Sequence, residues 1–365
     1  MIAGPNGHGK TSLIEAMLYC EVFRSFRGAA DRELVRFGSD GFHVETCVRT
    51  GISSQSTVVG RRQDGQWCAG ESEPAVLPTV AGERRVEAGY DARTRQKRVR
   101  LDGAEPERLA EAIGVVRGVV LSPGDVALVA GSPRSRRQYL DVLLSLTASG
   151  YVDALGRYRR ALRHRIRATA AEMPVWEGML AEAGALIVRT RMEWVARRAD
   201  AYRAYSTAVG ERGASGMTYV TRTEPSASSL SAALERTRER DLARGRTSVG
   251  PHRDELRLLL DGRDLRVYGS AGQQRTAALA LRLLEAATMR DATREGATIC
   301  LDDAFAELDE SRSRNLAALI ATLADEGSQV VAAVPKESDL PAEIRELPVW
   351  TIRDGALEEA GRGAQ

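Results

Sequence analysis

Eight residues near the start of the chain restrict its fold more than any other stretch. Gly4-Pro5-Asn6-Gly7-His8-Gly9-Lys10-Thr11 fits the pattern G-x-x-x-x-G-K-[ST] at every fixed position. Such a loop needs a buried strand to deliver the chain to it and a helix to carry the chain away. The helix is legible, because Leu13, Ile14, Met17, Leu18 and Val22 recur at helical spacing directly after the loop. The strand is not, since only Met1, Ile2 and Ala3 precede Gly4. In a phosphate loop, Gly4, Gly7 and Gly9 let backbone N–H groups turn inward, and the helix N-terminus adds its dipole. Lys10 would reach the β- and γ-phosphates, and the Thr11 hydroxyl would ligate Mg²⁺. A glycine-rich turn without a ligand is the alternative.

Lysine usage favours a real site. Only three of the 52 basic residues are lysines, namely Lys10, Lys97 and Lys336. A chain that writes arginine almost everywhere has kept a compact ammonium in the loop, where a planar guanidinium fits poorly between phosphates.

A second element is the run "ATICLDDAFAELD", an apolar strand that ends in Asp302. That geometry brings a carboxylate to the tip of a buried strand beside a phosphate loop. Asp302 would hold Mg²⁺ and Asp303 would orient or deprotonate the attacking water, although an ordinary strand ending in a polar turn reads the same. A third element, "YGSAGQQRTAALAL", places Ser270, Gly272 and Gln273 just before a long helix. It offers a second phosphate-binding surface, or simply a serine-capped helix. One nucleotide needs one cradle, so two cradles in one chain suggest ATP sandwiched between two copies.

Between these elements the pattern changes twice. Residues 42–101 read as short strands ("FHVETCVRT", "SSQSTVVGR", "KRVRLDG"), and "GVVLSPGD" reads as an apolar strand ending in a loop. Residues 151–210 read as two long helices that pair as an antiparallel arm, and a further helix covers about 227–244. The last 120 residues return to alternating strands and helices. The expected fold is α/β: an ABC-type P-loop ATPase head with an inserted helical, antiparallel coiled-coil-like arm. Its domains would be 1–135 (first part of the head), 136–245 (arm) and 246–365 (rest of the head).

Composition excludes several classes. No run approaches the roughly 18 apolar residues of a membrane span, and the N-terminus lacks a signal-peptide build. Cys20, Cys47, Cys68 and Cys300 lie far apart with no C-x-x-C pair, which argues against a disulfide framework or zinc site and suits the cytoplasm. The net charge of +2 is uninformative, but residues 151–170 hold six arginines against Asp153 alone. Such a run meets phosphates or forms a solvated helix face.

Together the motifs resemble one family, RecF, which is related to the SMC and Rad50 heads. "GPNGHGKTSLIEAMLYCEVFRSFR", "VVLSPGDVALVAGSPRSRRQYLD", "YVDALGRYRRALRHR", "SVGPHRDEL", "SAGQQRTAALALRLLE" and "CLDDAFAELD" carry the likeness along nearly the whole chain. The resemblance implies an ATP-dependent DNA-binding recombination mediator with weak ATP hydrolysis. It would dimerise around ATP at gapped or junction DNA, act with RecR and RecO, and help place RecA. Carried over by motif, Gly4 to Thr11 bind ATP, Thr11 and Asp302 serve Mg²⁺, and Lys10 and Asp303 serve catalysis. Ser270, Gly272 and Gln273 would contact a partner's γ-phosphate, while arginines of 134–137 and 157–167 are candidates for DNA or partner contact.

The likeness has three gaps. Family members carry residues ahead of the loop, including its strand, so the expectation here is that the native protein extends upstream of Met1. Pro123-Gly124-Asp125 lacks the usual glutamate, and Val334-Pro335 stands where relatives place a threonine or histidine near the γ-phosphate. A nucleotide-free scaffold that binds DNA or RecR is therefore the alternative function. His252 of "GPHRDE" reads equally as a buried structural histidine.

Overall fold

The structure is a computed structural model that describes residues 1–49, 82–169, 171–345 and 347–359. The expected strand "SSQSTVVGR" and Cys68 lie outside the described residues. In chain order, β1 (Ile2–Ala3), α1 (Lys10–Val22) and α2 (Asp31–Leu34) are followed by β2 (Gly41–Arg49), β3 (Glu83–Asp91), β4 (Gln96–Leu101) and β5 (Gly118–Leu121). Helices come next: α3 (Val126–Ala130), α4 (Pro133–Thr147), α5 (Tyr151–Arg165) and α6 (Met173–Val209). Then come β6 (Ser215–Val220), α7 (Ala227–Ala243), β7 (Glu255–Leu260), β8 (Arg263–Asp264), α8 (Leu265–Tyr268) and α9 (Ala271–Thr293). The chain closes with β9 (Thr298–Asp302), α10 (Glu310–Asp325), β10 (Val330–Val334), β11 (Trp350–Arg353) and β12 (Ala356–Glu359).

These elements form two compact units, Met1–Pro123 with Ala286–Gln365, and Gly124–Glu285. The division differs from one drawn at 135/136 and 245/246, because it places β7, β8 and the Ser270 segment in the unit that contains the long helices.

In the first unit a six-stranded sheet has the order β12-β11-β1-β10-β9-β5. All neighbours pair parallel except the β11–β12 hairpin at the edge. The central strand β1 is paired on both flanks. Ile2 pairs with Ala333 on one side and Trp350 on the other, and Ala3 pairs with Val334 and Thr351. The Met1 amine donates to Pro348 O at 2.6 Å, and Met1 and Ile2 are buried.

α1 lies between this sheet and the antiparallel sheet β2-β3-β4. Ile14 and Leu18 pack on Val120, Cys300 and Ala333 of the first, while Tyr19, Cys20 and Phe23 pack on Val86 and Ala88 of the second. A helix apolar on two sides is buried on two sides.

In the second unit α5 and α6 run antiparallel, since Arg165 bonds Glu177 while Tyr151, fourteen residues earlier, bonds Arg191. Along α6 the buried Leu180, Ile187, Trp194, Tyr202 and Val209 recur every seven or eight residues, as in a coiled-coil seam. Two buried guanidiniums tie the helices together. Arg165 reaches Glu177 at 2.9 Å, Asp241 of α7 at 3.1 Å and Thr247 Oγ1 at 3.1 Å. Arg191 reaches Asp141 of α4 at 2.6 Å, the Tyr219 hydroxyl at 3.1 Å and Pro251 O at 2.9 Å. Arg136 is also buried, bonding three carbonyls of the α3–α4 turn and Glu255. Several arginines marked by sequence for an outside partner are therefore committed internally. Arg134, Arg157, Arg160, Arg163 and Arg167 remain exposed.

His252 proves to be a structural group in its hydrogen bonding. Its Nε2 faces Thr247 O at 2.9 Å, an acceptor only, so Nε2 carries the proton and Nδ1 accepts from the Tyr158 hydroxyl at 2.6 Å. Burial lowers its pKa to about 4. The folded state thus stays neutral where the unfolded chain protonates, and stability falls as pH drops from about 6.5 towards 4. Urea unfolding of wild type and His252→Gln across this window should show their stability difference shrinking by about 3 kcal/mol at most as pH falls. A difference independent of pH would contradict the neutral assignment.

Candidate nucleotide-binding site

The loop begins where β1 ends. Gly4 N–H donates to Val334 O at 3.3 Å, and a Cβ at Gly4 would stand 2.5 Å from Ile352 O. Only glycine lets the loop start this close to β11. Gly9 takes φ 99°, the left-handed conformation that turns the chain into α1.

Lys10 is buried and its ammonium bonds Gly4 O at 2.8 Å, Pro5 O at 3.1 Å and Asn6 Oδ1 at 3.2 Å. The first-turn N–H groups of α1 have no intrahelical acceptor and open on the loop. His8 faces the other way. Its carbonyl accepts from Gly355 N at 3.1 Å and its Nδ1 accepts from Asp354 N at 3.1 Å. Asp354 and Gly355, at φ 50° and 78°, form the tight β11–β12 turn, so this hairpin buttresses the loop through His8.

The carboxylates sit at the end of β9. The Thr11 hydroxyl donates to Asp302 Oδ1 at 2.9 Å. Burial raises the pKa of Asp302, aided by the charge of Asp303 and opposed by the Thr11 hydrogen bond and the charges of Arg27 and Lys10. Asp303 takes φ 52° and its N–H donates to Ala333 O at 3.1 Å. Among the described residues, its buried Oδ1 accepts no hydrogen bond.

Thr11 and Asp302, with this unpaired acceptor beside them, fit a hard divalent cation. Among the described residues no group of three or more His, Cys, Asp or Glu side chains could hold a metal ion. Mg²⁺ takes one or two carboxylates and completes its shell with phosphate oxygens and water, so a hydroxyl and one carboxylate are a donor set of the kind it uses.

Sequence reasoning missed Arg27. The Ser25 hydroxyl donates to Glu15, one helical turn beyond Thr11, and Arg27 N–H donates to Ser25 Oγ at 3.0 Å. Arg27 Nη1 lies 3.8 Å from Glu15 Oε2, and its half-exposed guanidinium is close enough to lower the Asp302 pKa. The "SFR" after α1 was the available signal.

In the second unit, Ser270 and Gln273 form a reciprocal cap on α9. Gln273 N–H donates to Ser270 Oγ at 3.3 Å, and Ser270 N–H donates to Gln273 Oε1 at 2.9 Å. As an acceptor in the cap, the hydroxyl keeps its own proton to donate. Gly272 is exposed beside it. Asp125 of "SPGD" is buried and pairs with Arg282 of the same helix at 2.6 Å.

No family model matches the chain. A DNA replication and repair protein RecF from Roseiflexus castenholzii is 32% identical over 392 residues, which cover 99% of this chain and 93% of the relative. The chain belongs to the RecF family. The RecF of Thermomicrobium roseum is also 32% identical, over 98% of this chain and 93% of its own. A solved structure of the recombination mediator protein RecF with ATP in the RecFOR pathway matches with a TM-score of 0.81 and 26% identity, covering 98% of this chain and 90% of that one. The Smc head domain from Pyrococcus furiosus, at 14% identity and TM-score 0.52, shares the fold alone, over 98% of this chain and 88% of its own. The fold is thus the ABC-type ATPase head expected from the motifs.

Two glycine substitutions separate close approach from backbone strain. Gly4→Ala should lower stability by about 1–3 kcal/mol through overpacking against Ile352 O. Gly7→Ala, at φ 84° with open space around it, should cost about 1 kcal/mol from backbone strain alone. Thermal unfolding of the two variants checks the order.

Proposed function

We propose that this RecF-family chain is an ATP-dependent DNA-binding recombination mediator in gap repair and replication restart, with weak ATP hydrolysis. The observation that carries the reading is the Thr11–Asp302 contact across the end of the phosphate loop, with the unpaired Asp303 acceptor beside it. The ATP-bound RecF structure to which this chain is similar supports ATP as the ligand.

Lys10 exchanges its loop carbonyls for β- and γ-phosphate oxygens, and first-turn amides of α1 take the rest. Mg²⁺, when bound, would be held by Thr11 and Asp302 and would offset charge on the phosphates. Asp303 Oδ1 orients the attacking water. Ser270, Gly272 and Gln273 contact the γ-phosphate held by a second copy, the Ser270 proton serving as donor. ATP thereby closes a homodimer on single- or double-stranded DNA at a gap or junction. RecR, RecO and RecA are the protein partners, and the chain acts in the cytoplasm. No described helix is long and apolar enough to cross a membrane.

Sedimentation and DNA binding with MgATPγS test the reading. Wild type should dimerise and bind gapped DNA, Lys10→Ala should do neither, and Ser270→Arg should bind nucleotide as a monomer. Failure of wild type to bind MgATPγS would leave the nucleotide-free scaffold. Asp303→Asn should keep nucleotide affinity and lose about 100-fold or more in turnover, measured as phosphate release.

A further inference from the structure

Two separate sets of bonds hold the phosphate loop. One is internal, the Lys10 ammonium bonding Gly4 O, Pro5 O and Asn6 Oδ1. The other comes from the hairpin of β11 and β12. β11 pairs with β1 directly ahead of the loop, Trp350 with Ile2 and Thr351 with Ala3. Ile352 O would lie 2.5 Å from a Cβ on Gly4, and Ile352 Cδ1 would lie 3.7 Å from one on Gly9. The two-residue turn then closes on His8. Gly355 N–H donates to His8 O and Asp354 N–H donates to His8 Nδ1, each at 3.1 Å. The hairpin thus meets the loop at Gly4, His8 and Gly9, while Pro5, Asn6 and Gly7 are exposed.

His8 brings a side chain to this contact, at a position that the loop pattern leaves open. An imidazole that accepts at Nδ1 carries its proton on Nε2. The exposed Asp354 carboxylate lies 3.3 Å from the same nitrogen, and two acceptors do not bond each other in that tautomer. The link is therefore the Asp354 backbone N–H. On the reading above, Lys10 gives up its three loop partners for phosphate oxygens when nucleotide binds. The hairpin bonds are not exchanged, and His8 places them near the middle of the loop.

We infer that His8 is a positioning residue for the nucleotide, and that the β11–β12 turn and the loaded loop order each other through it. The inference rests on the nucleotide reading above and adds to it a link between the loop and the last two strands. Such coupling is reciprocal: the affinity that the turn lends to the loop is returned, on binding, as protection of the turn. The turn supports the loop and touches no single phosphate, so a triphosphate and a diphosphate depend on it alike.

Calorimetric titration of MgATPγS and MgADP into wild type, His8→Phe, His8→Asn and Asp354→Asn tests it, with amide hydrogen exchange of Asp354 and Gly355 followed in each. His8→Phe keeps a ring without the acceptor and should lose about three- to tenfold in affinity for both nucleotides, the size of one net hydrogen bond. His8→Asn offers an acceptor near the Nδ1 position and should bind within about twofold of wild type. Asp354→Asn keeps the donating N–H and tolerates the left-handed turn, and should also stay within about twofold. In wild type both amides should exchange about threefold or more slowly with MgATPγS bound, and in His8→Phe the Asp354 amide should gain no such protection. The inference is overturned, with the nucleotide site left in place, by wild-type affinity in His8→Phe, by equal loss in His8→Phe and His8→Asn, or by exchange that ignores nucleotide. A loss in Asp354→Asn as large as in His8→Phe overturns it too, because the carboxylate would then be the link. If wild type binds neither nucleotide, the site reading falls and the inference with it.

Discussion

Everything in the first unit depends on the double burial of α1. Ile14 and Leu18 hold it to the parallel sheet, and Tyr19, Cys20 and Phe23 hold it to the antiparallel one. This packing sets where its N-terminus lies, and with it Thr11 on its first turn. Because β9, β10 and β1 are parallel neighbours, that fixed hydroxyl meets the carboxylate at the tip of β9, two strands away. The same helix also anchors Arg27 through Glu15 and Ser25. A change in the packing of α1 would move the loop hydroxyl and a site cation together.

The parts of the fold written in local pattern were legible. Helical spacing after the loop, the apolar runs that became β5 and β9, and the long helical stretch that became α5 and α6 were all readable from local side-chain pattern. Local pattern does not encode partnership at long range. Two residues would not announce themselves as a central strand; Ile2 and Ala3 become one because β10 and β11, more than 300 residues on, pair with both. His8 reads as a loop residue, and its role in docking the hairpin turn appears only when Asp354 and Gly355 arrive beside it. Arg27 obeys the same logic, since its relation to Asp302 is made by tertiary folding. Within the candidate site, motif spacing named Lys10, Thr11, Asp302 and Asp303, and geometry brings Thr11 and Asp302 into contact.

The two unusual blocks of the sequence have different structural meanings. Asp125 of Pro123-Gly124-Asp125 is buried against Arg282, whose guanidinium also meets Glu285. Burial disfavours that guanidinium's charge, and the two carboxylates restore it and raise its pKa. The missing glutamate thus leaves intact an ion pair that orients the helix capped by Ser270. Val334-Pro335, by contrast, ends β10, whose last two carbonyls accept from the Gly4 and Asp303 amides.

The arginine content has to be divided before it can be interpreted. Charge counts treat residues 151–170 as one basic surface, but Arg165 is buried between two carboxylates and Arg159 bonds Asp141. A buried guanidinium with its partners in place carries no field for an outside phosphate, because its charge is matched within a few ångströms. The exposed remainder is ordered: Arg157, Arg160 and Arg163 recur at three-residue intervals along α5, with Arg167 just beyond its end. Side chains three apart are neighbours on a helix surface, so these form one stripe. Such a stripe suits a polyanion running along the helix better than a single bound phosphate, and its effect would weaken steeply with salt.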